Sequence, residues 1–136
     1  MTAEWRLSCA RISDFGAELT SPVIAGVFSP AERAHSGARR AHEGLAGRLA
    51  AKHAVAGVLG ARTDDPGVLR AVQIVPLPRH ACRNPVLCRR GHPPALELAC
   101  GVGDSDRLAW IDVSISHERE LAFAAALAVF ARPPGG

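Results

Sequence analysis

Apolar residues recur through the middle of the chain with the period of a helix. Between Ala41 and Leu59, the residues Leu45, Leu49, Ala56 and Leu59 follow at spacings of four, seven and three, one stripe that Gly60 is placed to end. Lys52 and His53 lie three and four residues past Leu49, so both are expected to project beside that stripe. Nearer the C-terminus the period changes to two. Ile111, Val113 and Ile115 alternate with Asp112, Ser114 and Ser116, which predicts a half-buried strand over Trp110–Ser116. Leu121–Phe130 is apolar almost throughout, a pattern open to a central strand or a helix, and its flanks favour a strand. Shorter runs predict strands over Leu7–Ile12, Val72–Val75 and Ala95–Leu98.

Local chemistry marks the remaining boundaries. Ser29-Pro30-Ala31-Glu32 combines an N-cap serine, a proline at the first helical position and a glutamate three residues on, a capping box that starts a helix running towards Ser36-Gly37. Phe15–Val27 reads as a short helix interrupted around Pro22, Thr63–Gly67 as a turn, Leu77–Pro85 as a loop and Gly101–Arg107 as a polar connection. With 136 residues the chain is expected to be one domain over 1–132, followed by a flexible tail at 133–136.

Composition removes several function classes. No apolar run reaches the roughly 18–20 residues of a membrane helix, and Met1–Arg6 lacks the pattern of a secretion signal, so a cytoplasmic protein is expected. The net charge of +3 comes from arginine, with Lys52 the single lysine, but aromatic residues do not interleave with the basic ones, which argues against nucleic acid. Four cysteines, Cys9, Cys82, Cys88 and Cys100, are expected to be reduced thiols. His80, Cys82, Cys88 and His92 bracket a loop without the paired-cysteine spacing of a zinc finger, so no metal site is assigned there.

Four patches carry a resemblance. Cys9-Ala10-Arg11-Ile12, Val27-Phe28-Ser29-Pro30-Ala31-Glu32-Arg33-Ala34, Gly47-Arg48-Leu49-Ala50-Ala51-Lys52-His53-Ala54, and Val113-Ser114-Ile115-Ser116-His117-Glu118 with Leu121-Ala122-Phe123-Ala124 occur in the order of the signatures of the small holo-acyl-carrier-protein synthases. These belong to the 4′-phosphopantetheinyl transferase superfamily, and Gly91-x-Pro93 also sits where the family has a Gly-x-Pro strand start. The patches together span about half of the chain. The resemblance implies an α+β fold in which an antiparallel sheet packs on a long central helix, and a homotrimer with sites between subunits. It further implies coenzyme A as cofactor, an acyl carrier protein as partner, and magnesium bridging the pyrophosphate while a carrier serine attacks phosphorus.

The two acidic magnesium ligands of the family are absent by position. The first-strand acid falls on Trp5, the helix acid on His53, and a lysine that many members carry four residues later is Gly57. Magnesium takes hard oxygen ligands, so it is expected to bind weakly or not at all. Three readings follow. In a divergent transferase, protonated His53 with Lys52 would offset pyrophosphate charge, Arg48, Ser116 and His117 would meet coenzyme A, and Arg11 and Arg33 would engage the carrier protein. In a repurposed enzyme of polyketide or other secondary metabolism, His53 and His117, oriented by Asp112 or Glu4, would act as acid and base on an acyl intermediate, in dehydration, isomerisation or cyclisation. In a non-catalytic binder the same pocket would hold coenzyme A or carrier protein without turnover.

Overall fold

The computed structural model describes residues 1–11, 26–34, 41–76, 94–99 and 101–131. The expected helix before Val27, the helix break at Ser36-Gly37, the 77–85 loop with its cysteines and histidines, the Gly91-x-Pro93 turn and the 133–136 tail lie wholly or largely outside these residues.

The described elements run β1 (Thr2–Arg11), α1 (Pro30–Ala34), α2 (Ala41–Val58), α3 (Pro66–Ala71), β2 (Val72–Pro76), β3 (Pro94–Leu98), β4 (Leu108–His117) and β5 (Leu121–Phe130). This is an α+β fold with antiparallel sheets. β1, β5 and β4 form one sheet with β5 in the middle, and β2 and β3 form a separate two-stranded ribbon. The near-continuous apolar run of β5 follows from that central place, because its neighbours and α2 cover most of it.

Alternation along β5 decides which face meets the helix. Ala122, Ala124, Ala126, Ala128 and Phe130 are buried, while Ala125 and Leu127 are exposed. Opposite the buried alanines stand Ala50, Ala51 and Ala54 of α2, in one core cluster with Val55, Val58, Ile74 and Val113. Small side chains on both sides let the helix and sheet backbones approach closely. At Gly47 the approach is closest: a Cβ there would lie 2.8 Å from Ile115 Cγ2. At Gly57 a Cβ would make ordinary contact, 3.5 Å from Arg6 Cγ.

Gly60 ends α2 as expected. It adopts φ +70°, Ala61 N donates to Ala56 O at 2.9 Å and Gly60 N donates to Gly57 O at 3.1 Å, the paired bonds of a Schellman cap. The turn expected over Thr63–Gly67 is corrected in part, since a helix begins at Pro66. Asp65 is its N-cap, accepting from Gly67 N at 2.9 Å, and Pro66 takes the first helical position. β1 starts five residues earlier than the apolar run suggested, because Thr2–Arg6 pair with Ala126–Phe130 although their side chains stay exposed. Among the described residues no helix is long and apolar enough to cross a membrane.

The two glycines test this seating of α2. Gly47→Ala is expected to lower stability by about 1–3 kcal/mol, as an overpacked core position does. Gly57→Ala is expected to raise it by up to about 1 kcal/mol through helix propensity. Urea denaturation followed by circular dichroism measures both, and equal effects of the two would contradict the helix orientation described.

Candidate functional site

The segment that carries the resemblance lies on α2, and its lysine turns inward. Lys52 and Glu32 are both 0% exposed, and Lys52 Nζ donates to Glu32 Oε1 at 2.8 Å. Lys52 Nζ also donates to the carbonyls of Leu69 at 2.8 Å and Val72 at 2.5 Å, and lies 5.4 Å from the centre of the Phe28 ring. Three accepting oxygens require three N–H groups, so the group is an ammonium. Burial lowers its pKa from the ordinary value, opposed by the hydrogen bond and charge of Glu32.

Glu32 is equally occupied. Oε1 also accepts from Ser29 N at 2.9 Å, Oε2 accepts from Ile74 N at 3.1 Å, and Ser29 Oγ accepts from Glu32 N at 3.2 Å. The capping box read from sequence is therefore present, and its glutamate has a second role that sequence spacing did not reveal. A single ion pair joins α1, α2, α3 and β2.

This geometry corrects the expected role of Lys52. Its donors are taken up inside the fold, so it cannot offset ligand charge without breaking the core. Arg48 is also drawn to β2: its Nε donates to Ile74 O at 3.0 Å and its Nη1 to Gly44 O at 3.4 Å. Burial lowers the Arg48 pKa from its ordinary value, with Glu32 acting in the opposite sense.

His53 is half-buried on α2, and desolvation lowers its pKa below the ordinary 6.5. That shift disfavours the protonated imidazole which the transferase reading called for. A neutral imidazole accepts a proton but does not neutralise a phosphate.

The remaining candidates separate onto the two faces of the sheet. Asp112 is exposed on β4 opposite Leu127, and its Oδ1 accepts from Val113 N at 2.9 Å. It alternates with Ile111 and Val113, which pack against the helix side, so it stands on the outer face. The expectation that Asp112 orients His53 is corrected by that placement. Ser116 is exposed opposite Phe123, and His117 is exposed at the end of β4 opposite Ala122. By the same alternation His117 falls on the helix side and Ser116 on the outer face. Arg11 is exposed at the end of β1 opposite Leu121, and Arg33 is exposed on α1 beside the buried Glu32.

Trp5, on which the resemblance places the first-strand acid, lies on the outer face of the sheet. It pairs with Leu127, remains 70% exposed and forms an outer apolar face with Leu7, Trp110 and Leu127. Glu4 is exposed on the same strand and points to the opposite face by alternation. Among the described residues no group of three or more His, Cys, Asp or Glu side chains could hold a metal ion. Trp5 and His53 stand on opposite faces of the sheet, and neither an indole nor an imidazole is the oxygen donor that magnesium selects.

Sequence reasoning overlooked Arg6. It lies on the helix face of β1, with its side chain along Gly57 one turn beyond His53. The available signals were its even place in β1, shared with Ala10, and the missing side chain at position 57.

Two measurements check this site. Lys52→Met is expected to lower stability by about 3–5 kcal/mol by leaving a buried carboxylate unpaired, and Glu32→Gln/Lys52→Met is expected to lose less than the two single variants combined. Additive losses in denaturant titrations would contradict a coupled pair. For His53, the unfolded chain binds the proton more readily than the folded one. Its contribution to stability is therefore complete above pH 6.5 and falls on acidification towards the lowered folded pKa. His53→Gln is expected to flatten that part of the melting-temperature profile, and an unchanged profile would contradict the burial of His53.

Comparison with known proteins agrees with this architecture. No protein-family model matches the sequence, and no curated protein matches it in sequence. Solved structures do. The ACPS–CoA complex of Chronobacterium ammoniagenes superposes with a TM-score of 0.71 at 25% identity, over 97% of this chain and 100% of that one. The acyl carrier protein synthase of Mycobacterium tuberculosis gives 0.63 at 25% identity, over 93% and 96%. The Helicobacter pylori holo-[acyl-carrier-protein] synthase in complex with coenzyme A has a TM-score of 0.69 at 16% identity, over 93% and 100%, a likeness of fold alone. The fold of this chain is that of the holo-acyl-carrier-protein synthases.

Proposed function

We propose that the protein is a divergent holo-acyl-carrier-protein synthase that transfers 4′-phosphopantetheine from coenzyme A to a carrier-protein serine. The observation that carries the reading is the end-to-end likeness, at 25% identity, to a synthase whose structure holds coenzyme A. In the transfer, the serine oxygen forms a bond to the pantetheine-side phosphorus and the pyrophosphate P–O bond breaks, leaving adenosine 3′,5′-bisphosphate. The serine proton goes to a base. His53 is suited to that step, because its imidazole is half-buried and its burial disfavours the protonated form. Magnesium has no acidic ligands at Trp5 and His53, so no step is routed through it. Arg11 and Arg33, both exposed, are the proposed contacts for an acidic carrier protein. His117, exposed at the end of β4, is proposed to reach the nucleotide side of the ligand.

A homotrimer is part of this proposal. The outer face of the three-stranded sheet exposes Trp5 at 70%, Leu7 at 65%, Trp110 at 49% and Leu127 at 42%, large side chains that a second copy would bury. A second reading, acid–base chemistry on an acyl or polyketide intermediate, rests on the same His53 in place of a carboxylate.

Incubation with coenzyme A and apo carrier protein, followed by intact mass measurement of the carrier, separates the two readings. The transferase predicts a gain of one phosphopantetheine group and a loss of activity in His53→Ala. No gain with several carriers would leave the acid–base enzyme or a binder. His53→Glu is expected to acquire a magnesium-dependent rate, and insensitivity of that variant to magnesium would contradict the shared pocket. Analytical ultracentrifugation is expected to give a trimer that Leu127→Glu breaks, and a monomeric wild type would refute the proposed assembly.

A further inference from the structure

Among the described residues, three cations on α2 or laid along it are treated differently by the fold. Lys52 is closed inside the core by Glu32 and two carbonyls, and Arg48 is tied to Ile74 O. Arg6 is the third. It is exposed, and among the described residues it makes no hydrogen bond or ion pair. Its stem nevertheless has a defined bed: measured from the place a Gly57 Cβ would take, Arg6 Cγ lies at 3.5 Å, Cδ at 3.7 Å and Nε at 3.9 Å.

We propose that Arg6 is the phosphate-binding cation of this site, laid along α2 at Gly57 so that its guanidinium meets the phosphates of a nucleotide-linked ligand at the β1–α2 seam. The ligand identity, coenzyme A, rests on the function proposed above, whereas the anion site itself does not. Geometry and chemistry converge here. A helix carrying no side chain at position 57 leaves its backbone open as a floor for a long side chain arriving from the neighbouring strand. The guanidinium then keeps its planar fork of donors for an oxyanion, which takes two parallel hydrogen bonds. His53 stands four residues before Gly57, on the same side of the helix, so a phosphate held by Arg6 lies within one helical turn of the imidazole.

The competing role for Arg6 is purely structural. The last turn of α2 contains no basic residue, and a cation there complements the partial negative charge of the helix C-terminus. That role lowers stability when Arg6 is removed but leaves ligand binding unchanged.

Isothermal calorimetry with two probes, coenzyme A and inorganic pyrophosphate, distinguishes these outcomes on wild type, Arg6→Ala, Arg6→Lys and Arg6→Ala/Gly57→Lys, with thermal melting as a control for folding. The proposal predicts that Arg6→Ala weakens both probes by about ten- to a hundredfold, the range for a lost charge-assisted hydrogen bond. Arg6→Lys is expected to retain part of the affinity. Arg6→Ala/Gly57→Lys is expected to recover it, because the new ammonium leaves the helix where the arginine stem lay. Coenzyme A bound equally by wild type and a folded Arg6→Ala would overturn the assignment of Arg6 and leave the transferase reading standing. Pyrophosphate binding that depends on Arg6, without any binding of coenzyme A, would support the anion site and remove the transferase reading. No binding of either probe to wild type would overturn both.

Discussion

Everything near the candidate site depends on one ion pair in a dry interior. Glu32 and Lys52 have no exposure to solvent, and removing two charges from water is stabilising only when every donor and acceptor finds a partner. Here they do: the ammonium has three oxygens, and the carboxylate accepts from Lys52 and from the backbone of Ser29 and Ile74. The pair consequently fixes where α1, α3 and β2 sit on α2. α1 has only five residues and would not persist as an isolated helix; its capping box and the pair share the same glutamate. A motif that looks like two separate signatures in sequence, one around Glu32 and one around Lys52, is a single structural unit.

That unit also sorts the charges of the helix. With Lys52 sealed inside and Arg48 held by a β2 carbonyl, the helix segment richest in apparent chemistry leaves the half-buried His53 as its least committed polar side chain. Positive charge arrives from β1 instead, through Arg6. The site proposed on Arg6 and His53 would differ from a metal site in a predictable direction: it would orient phosphate and accept a proton without the concentrated charge of a divalent cation. The same reasoning separates Asp112 and Trp5 from the chemistry of His53. Both stand on the outer face of the sheet, beside the exposed Leu7, Trp110 and Leu127.

Much of the fold was legible because its signals are local. The capping box at Ser29, the Gly60 stop, the alternation of Ile111, Val113 and Ile115, and the full extent of β5 all depend on residues within a few positions of one another. The start of α3 was legible too, in Asp65-Pro66, but a turn and a first helical turn use the same residues there. The site was harder to read because its decisive contacts are long-range. Lys52 meets Glu32 twenty residues away and the Leu69 carbonyl seventeen away, and neither separation leaves a periodic trace. Helical spacing correctly placed Lys52 next to the apolar stripe but could not tell an inward ammonium from an outward one. Alternation already set Asp112 opposite Ile111 and Val113, but only the packing of α2 showed which of the two faces carries His53, and the same packing brought Arg6 to notice.

The central claim is that the lysine of the signature helix is a core cation and does not meet ligand. Lys52 is the single lysine of the chain, so protein labelled with ¹⁵N-lysine gives one side-chain ammonium resonance without ambiguity. The account predicts a slowly exchanging NH₃⁺ signal that stays in place when coenzyme A is added. A rapidly exchanging signal, or one that shifts strongly as coenzyme A saturates the protein, would contradict it.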